Sequence, residues 1–188
     1  MIPSFEQVME FTESRTSVAA FELPECRAYY DLLCGLPQRA TVLEIGLQFG
    51  RSSSIVGQLV GAKNFNYIGI DPFRNPPESL PEWSRVMSAI GCKFTLYCMK
   101  TVDVMNLPMF DLALIDGDHE PEGITMDCSR VLSLIKPRGY ALFHDYGHDS
   151  LATVKPTVDS IMAARWTGAW EQMETVGTLA IWRRLSWS

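Results

Sequence analysis

The segment from Thr41 to Phe73 constrains this chain more than any other, because it reads as a strand, a glycine-punctuated turn, a helix and a second strand that ends in an acid. Thr41-Val42-Leu43-Glu44-Ile45 is a short apolar run of β-formers, Gly46-Leu47-Gln48-Phe49-Gly50 breaks it, and Arg51-Ser52-Ser53-Ser54 opens a helix. Phe65 to Ile70 supplies the next buried strand, and Asp71 closes it about twenty residues after the second glycine, where βαβ units carry a ribose-binding acid. Gly46 permits a sharp exit from the strand, and Gly50 is expected to let a ligand approach the amides that open the helix. Gln48 stands where the dinucleotide fingerprint G-x-G-x-x-G needs its middle glycine. A nucleoside without a pyrophosphate therefore fits this turn better than NAD does, which disfavours the alternative of a dinucleotide or nucleotide-sugar oxidoreductase.

Glu44-Ile45-Gly46 followed by Gly50-Arg51-Ser52 resembles the first motif of class I S-adenosylmethionine-dependent methyltransferases, E-I-G-x-x-x-G-x-S. The resemblance implies S-adenosylmethionine as cofactor, with Glu44, Gly46, Gly50, Ser52 and Asp71 around it and Phe73 beside the ribose acid.

The remaining segments can be placed around this unit. Apolar Phe5, Val8, Met9 and Phe11 at helical spacing suit a short amphipathic helix, and Pro24-Glu25 opens a second helix that stops at Gly35 and Pro37. Residues 1–38 read as a helical cap and 39–184 as the core of one domain. Arg74 to Pro81 is rich in proline and reads as a flap, followed by a helix through Val86–Ile90 and a third strand over Lys93–Cys98. Thr101 and Asp103 follow that strand, near where the resemblance puts the adenine. Phe110–Ile115 is a fourth strand, a helix from about Glu122 to Leu134 closes at Lys136-Pro137-Arg138-Gly139, and Tyr140–Phe143 is a fifth strand. A helix over Val154–Ala164 precedes two strands, Trp170–Val176 and Thr178–Trp182, that turn near Gly177. The fold class is α/β: a doubly wound, Rossmann-like sheet of about seven strands, mostly parallel, with helices on both faces and an antiparallel C-terminal hairpin.

Ligands of such sheets bind beyond the carboxyl ends of the strands. The fourth strand runs there into Asp116-Gly117-Asp118-His119, and the fifth into His144-Asp145-Tyr146. All three histidines of the chain, His119, His144 and His148, fall in these two loops. I-D-G-D-H and H-D-Y resemble a branch of bacterial small-molecule O-methyltransferases that modify sugars and macrolides. Some of its members bind a divalent cation, and by position the ligands are Asp116, His144 and Asp145, with Asp116 also at the cofactor. The resemblance implies a base at His119 in one set of relatives and at Asp118 in another. His144 departs from the acid found in metal-binding relatives, and imidazole suits Mn, Fe, Ni or Zn better than Mg²⁺. Arg138 and Pro121 are further departures. Asp118 equally suits an N-terminal cap for the next helix.

With 188 residues, 47% of them hydrophobic and 20% charged, the chain can bury a full core. Its net charge of −6 argues against a nucleic-acid substrate and for a small molecule. Five cysteines without a C-x-x-C pair fit neither a disulfide framework nor a zinc site, and no membrane partner is expected, since Glu6, Glu10 and Glu13 stand where a signal peptide would be basic. The cytoplasm is the expected location. Trp182, Leu185 and Trp187 are candidates for a homodimer contact. The expected activity is methyl transfer to a small-molecule hydroxyl, against a non-catalytic nucleoside-binding protein as the alternative.

Overall fold

The computed structural model describes residues 1–16, 21–74, 76, 78–165 and 168–186. Seven strands, β1 Thr41–Ile45, β2 Asn66–Ile70, β3 Thr95–Tyr97, β4 Phe110–Ile115, β5 Ile135–Phe143, β6 Trp170–Val176 and β7 Leu179–Arg184, form one sheet. Their order is β3-β2-β1-β4-β5-β7-β6. The first five are parallel, and β7 runs antiparallel to both β5 and β6. The doubly wound architecture with its C-terminal hairpin is thus the one read from the sequence. Chain order reverses between β1 and β4, so a crevice opens at the carboxyl ends of those two strands.

Alternation along the strands divides the core in two. Val42, Leu112, Leu114 and Leu142 pack on the face covered by α1 (Phe5–Glu13), α2 (Leu23–Gly35), α3 (Arg51–Lys63) and α4 (Ser79–Ile90). Leu43, Ile45, Ala113 and Ile115 pack on the other, against α5 (Pro121–Val131) and α6 (Val154–Arg165). With both faces covered, the central strands must be apolar throughout, which is why they read as unbroken hydrophobic runs. Polar bonds also fix α1 on α3: the Thr12 and Ser54 hydroxyls lie 2.9 Å apart, and Gln58 donates to the Val8 carbonyl at 3.1 Å.

Three boundaries differ from expectation. α4 begins at Ser79 rather than near Val86, because Pro81 is tolerated in a first turn and Trp83, Val86 and Met87 bury one continuous face. The expected flap therefore shrinks, and its Asn75 and Pro77 lie outside the described residues. Lys136 to Gly139, expected to close a helix, instead lie in the first half of β5. There the register with β4 shifts between Phe110 and Leu112, and Asp111 Oδ2 accepts from both Lys136 Nζ and the Thr41 amide, each at 2.7 Å. β3 is confined to Thr95–Tyr97.

Trp182 lies half-buried in β7, Leu185 is exposed, and Trp187 lies outside the described residues. Among the described residues no helix is long and apolar enough to cross a membrane.

Candidate active site

The glycine turn is held from below by two acids with different tasks. Gly46 adopts φ 82°, and a Cβ there would stand 1.8 Å from the Asp116 carbonyl oxygen, so only glycine lets the end of β1 pass the end of β4. Asp71 Oδ2 accepts the Leu47 and Gln48 amides at 2.7 and 3.0 Å, while its Oδ1 accepts the Phe73 amide at 2.5 Å. The acid at the end of β2 thus clamps the turn as well as lining the cavity beside it. Gln48 and Phe73 sit at positive φ, 40° and 47°, held there by these bonds.

Glu44 corrects the sequence reading. It is fully buried on the α3 side of the sheet and does not line the cavity. Its carboxyl accepts from the Ser52 hydroxyl, from Ser53 Oγ at 3.0 Å and from Tyr67 Oη at 2.6 Å. Burial raises its pKa to about 7, and these three donors, Ser52 first, restrain the rise. Glu44 and Ser52 thereby join β1, β2 and the first turn of α3. Gly50, expected to admit a ligand, admits Trp83: a Cβ on this residue would lie 3.1 Å from Trp83 Cδ1, and the indole N–H donates to Ser53 Oγ at 2.9 Å. Phe73 is buried against the same indole, with ring centroids 6.0 Å apart.

At the ends of β4 and β5 the ionisable side chains face one another. His144 Nδ1 lies 3.2 Å from Asp116 Oδ1 and 3.5 Å from Asp145 Oδ2. His119 Nε2 lies 2.9 Å from Asp145 Oδ2 and 3.7 Å from Asp116 Oδ1. Asp145 occupies the left-handed region at φ 57°, which turns its carboxylate back across the strand ends. The nearby carboxylates of Asp116 and then Asp145 raise the His119 pKa to about 10. Burial would lower that of His144, but Asp116, Asp145 and Glu25 outweigh it and push the value up to about 12. For Asp145, burial pulls upward and the two imidazoles pull harder, leaving it well below the usual carboxylate range. Although close to two carboxylates, His119 Nε2 is a buried atom with no aligned hydrogen bond. The His148 ring, by contrast, faces Ser150 in its own turn. Asp118 Oδ1 accepts the Glu120 amide at 3.0 Å, an Asx turn leading into α5, and its side chain also borders the cavity.

Sequence reasoning missed Glu25. This α2 residue is 1% exposed, and its Oε2 sits 3.3 Å from His144 Nε2. Its carboxylate also receives the Thr178 amide and hydroxyl at 2.6 and 2.8 Å and the Glu22 amide at 2.7 Å. Burial raises its pKa, but the bonds from His144 and these groups bring it below the ordinary value. Nothing local to Pro24-Glu25 distinguishes it from an exposed acid in a helical first turn. Also missed was Asp127, which lines the cavity floor and which burial raises to about 6. Thr101 lines the cavity as expected for a residue after β3, whereas Asp103 does not.

Both groups of residues open onto one cavity of about 580 Å³, lined by Gly46, Gln48 and Asp71 and by Asp116, His119 and Asp145. That is the ligand-binding edge of the sheet. A model of the family described as "Methyltransferase domain" matches residues 43–146, from the first strand through the second acidic loop. This chain belongs to that family. The methyltransferase domain shares its fold with O-methyltransferase NovP, at 14% identity over 85% of this chain and 78% of that one, with a TM-score of 0.70. An rRNA methylase from Streptococcus thermophilus aligns at 13% identity, 88% and 98% coverage and a TM-score of 0.66. The N-methyltransferase NodS from Bradyrhizobium japonicum, solved with S-adenosylhomocysteine, aligns at 12% identity, 96% and 97% coverage and a TM-score of 0.63. No curated protein sequence matches the methyltransferase domain. Three structural neighbours with three kinds of acceptor show that the acceptor is not written in the fold.

Proposed function

We propose that this methyltransferase domain moves the methyl group of S-adenosylmethionine to a hydroxyl of a small molecule of the sugar, polyketide or phenolic type, acting in the cytoplasm. The observation that carries the proposal is the single cavity joining a nucleoside-shaped turn to a cluster of carboxylates and imidazoles. The net charge of −6 supports a small acceptor over RNA.

In the reaction the acceptor oxygen attacks the methyl carbon, the carbon–sulfur bond breaks, and the sulfonium leaves as the neutral thioether of S-adenosylhomocysteine. Because the sulfonium is already activated, the protein has to align the two reactants, take the hydroxyl proton and exclude water, and alignment alone can supply ~7 kcal/mol. Asp71, Gly46 and Gln48 border the donor's nucleoside. The base is assigned to Asp118, on the cavity rim. His119, the other candidate, is held protonated by its two carboxylates in the cation-free protein and has no lone pair to offer there.

A divalent cation is implied by the resemblance, and the residues fit one. Asp116, His144 and Asp145 present donor atoms within 4.8 Å of one another, and the adjacent His119 Nε2 lacks an aligned partner. When bound, such a cation lowers the pKa of an acceptor hydroxyl and orients it. Titration calorimetry on the purified protein should give binding of S-adenosylmethionine and none of NAD, and tritium from the labelled methyl group should appear in hydroxylated acceptors. NAD binding without S-adenosylmethionine binding overturns the proposal.

A further inference from the structure

We infer that His119 is a cation ligand and not a base, so that the cluster forms a four-donor set, His119 Nε2, His144 Nδ1, Asp116 Oδ1 and Asp145 Oδ2, selective for a borderline transition-metal dication over Mg²⁺ or Ca²⁺. This rests on the cation reading above but changes the role of His119 and adds a fourth donor to the set.

The first argument is spacing. Ligands held at about 2.0–2.2 Å from one ion at right or tetrahedral angles lie roughly 2.9–3.6 Å apart. The four neighbouring separations here are 2.9, 3.2, 3.5 and 3.7 Å, and they close a ring in which imidazole and carboxylate alternate. Little movement is needed to bring all four atoms onto one ion.

The second is the state of His119. Its Nε2 is buried and near two carboxylate oxygens, yet its N–H direction meets neither well enough to count as a hydrogen bond. A proton shared with one carboxylate would draw the ring into line with that oxygen. An ion between the ring and the two carboxylates uses the same nitrogen without that alignment, and it removes the cost of a buried, unpaired donor.

The third is orientation. His144 is 4% exposed, packs against Phe21 with ring centroids 5.0 Å apart, and turns Nε2 to Glu25. With Nε2–H donating to that buried carboxylate, Nδ1 is aimed at Asp116 and Asp145, and it is this nitrogen that gives up its proton when a cation is bound. A carboxylate behind a ligating imidazole fixes its tautomer and raises its basicity. Glu25 is therefore a positioning residue, anchored by Thr178 from the turn between β6 and β7.

Two nitrogens among four donors decide the class of ion. Mg²⁺ and Ca²⁺ take oxygen ligands, whereas imidazole suits Mn²⁺, Fe²⁺, Co²⁺, Ni²⁺ and Zn²⁺.

The test uses the whole chain, stripped with chelator and dialysed, and titrated with Co²⁺ while visible ligand-field absorption is recorded. Wild type should develop the bands of a site containing nitrogen ligands, and a tenfold excess of Mg²⁺ should not abolish them. His119→Ala, a change at a partly exposed loop residue, should shift the bands and weaken Co²⁺ by more than the ~10–100-fold expected for an outer partner. Glu25→Gln should weaken Co²⁺ within that smaller range and keep the band positions. Unchanged Co²⁺ spectrum and affinity in His119→Ala overturns the inference, as does displacement by equimolar Mg²⁺ or the absence of any Co²⁺ site. S-adenosylmethionine binding measured on the same samples reports separately on the methyltransferase reading and on retention of the fold.

Discussion

The glycine turn and the ends of β4 and β5 handle their acids in opposite ways. Around the glycine turn two carboxylates are satisfied by the protein itself: Asp71 by three backbone amides, Glu44 by two serines and a tyrosine. At the ends of β4 and β5, carboxylates face imidazoles across a gap in which one buried nitrogen has no aligned partner. A satisfied network is rigid and shapes a surface for a ligand, while an unsatisfied one needs a ligand to be complete. The difference separates residues that build the pocket wall from residues whose charges face one another across it, and it cuts across the sequence motif that contains Glu44.

The largest effect expected from this contrast is on stability at the satisfied end. Glu44→Leu strands the Ser52, Ser53 and Tyr67 hydroxyls in the core and should cost about 3 kcal/mol or more in urea unfolding. The fraction that remains folded should keep most of its affinity for S-adenosylmethionine. A large loss of affinity in that fraction would return Glu44 to the cofactor.

Asp71→Ala should cost less in stability, about 1–2 kcal/mol from loosening the turn, but should weaken S-adenosylmethionine binding by roughly tenfold or more in calorimetry. Such a paired loss is expected where one side chain clamps the turn and borders the cavity. Equal affinity in the variant would move the ribose elsewhere.

The smallest effect concerns pH. The folded pKa of His119 is raised from 6.5 to about 10, so its stabilisation is complete below about 6.5 and is lost as pH rises toward 10. For Glu44 the folded value is raised from 4.5 to about 7, so the folded state binds the proton more tightly and stability falls between those values. In cation-free protein the melting temperature should therefore descend in two stages, with Asp127 adding to the first through its rise from 3.8 to about 6. His119→Ala should remove part of the alkaline stage and leave the acidic one. If that variant keeps the whole alkaline descent, His119 is not paired with Asp116 and Asp145 in solution.

What was legible in the sequence follows the same division. Unbroken apolar runs, a glycine turn and the spacing to Asp71 are local signals, and they fixed the sheet and placed Gly46 and Asp71 at the cavity. The strand ends also placed Asp116, His119, His144 and Asp145 on one edge. The direction of a side chain was not legible: Glu44 lies one residue from Ile45 and points to the opposite face, so an acid inside the motif became a core residue. Glu25 was invisible because its meaning comes from His144, 119 positions away in the chain. Trp83 beside Gly50 is another such long-range filling of space that a motif describes only as room for a ligand.

The most direct test of a single cavity with a donor end and a cation end is diffraction from crystals grown with S-adenosylhomocysteine and Mn²⁺, recorded for anomalous signal. The account predicts adenosine density beside Asp71 and Gly46 and one manganese peak bounded by Asp116, His119, His144 and Asp145, both within the same cavity. A manganese peak elsewhere, or S-adenosylhomocysteine bound away from the glycine turn, would contradict it.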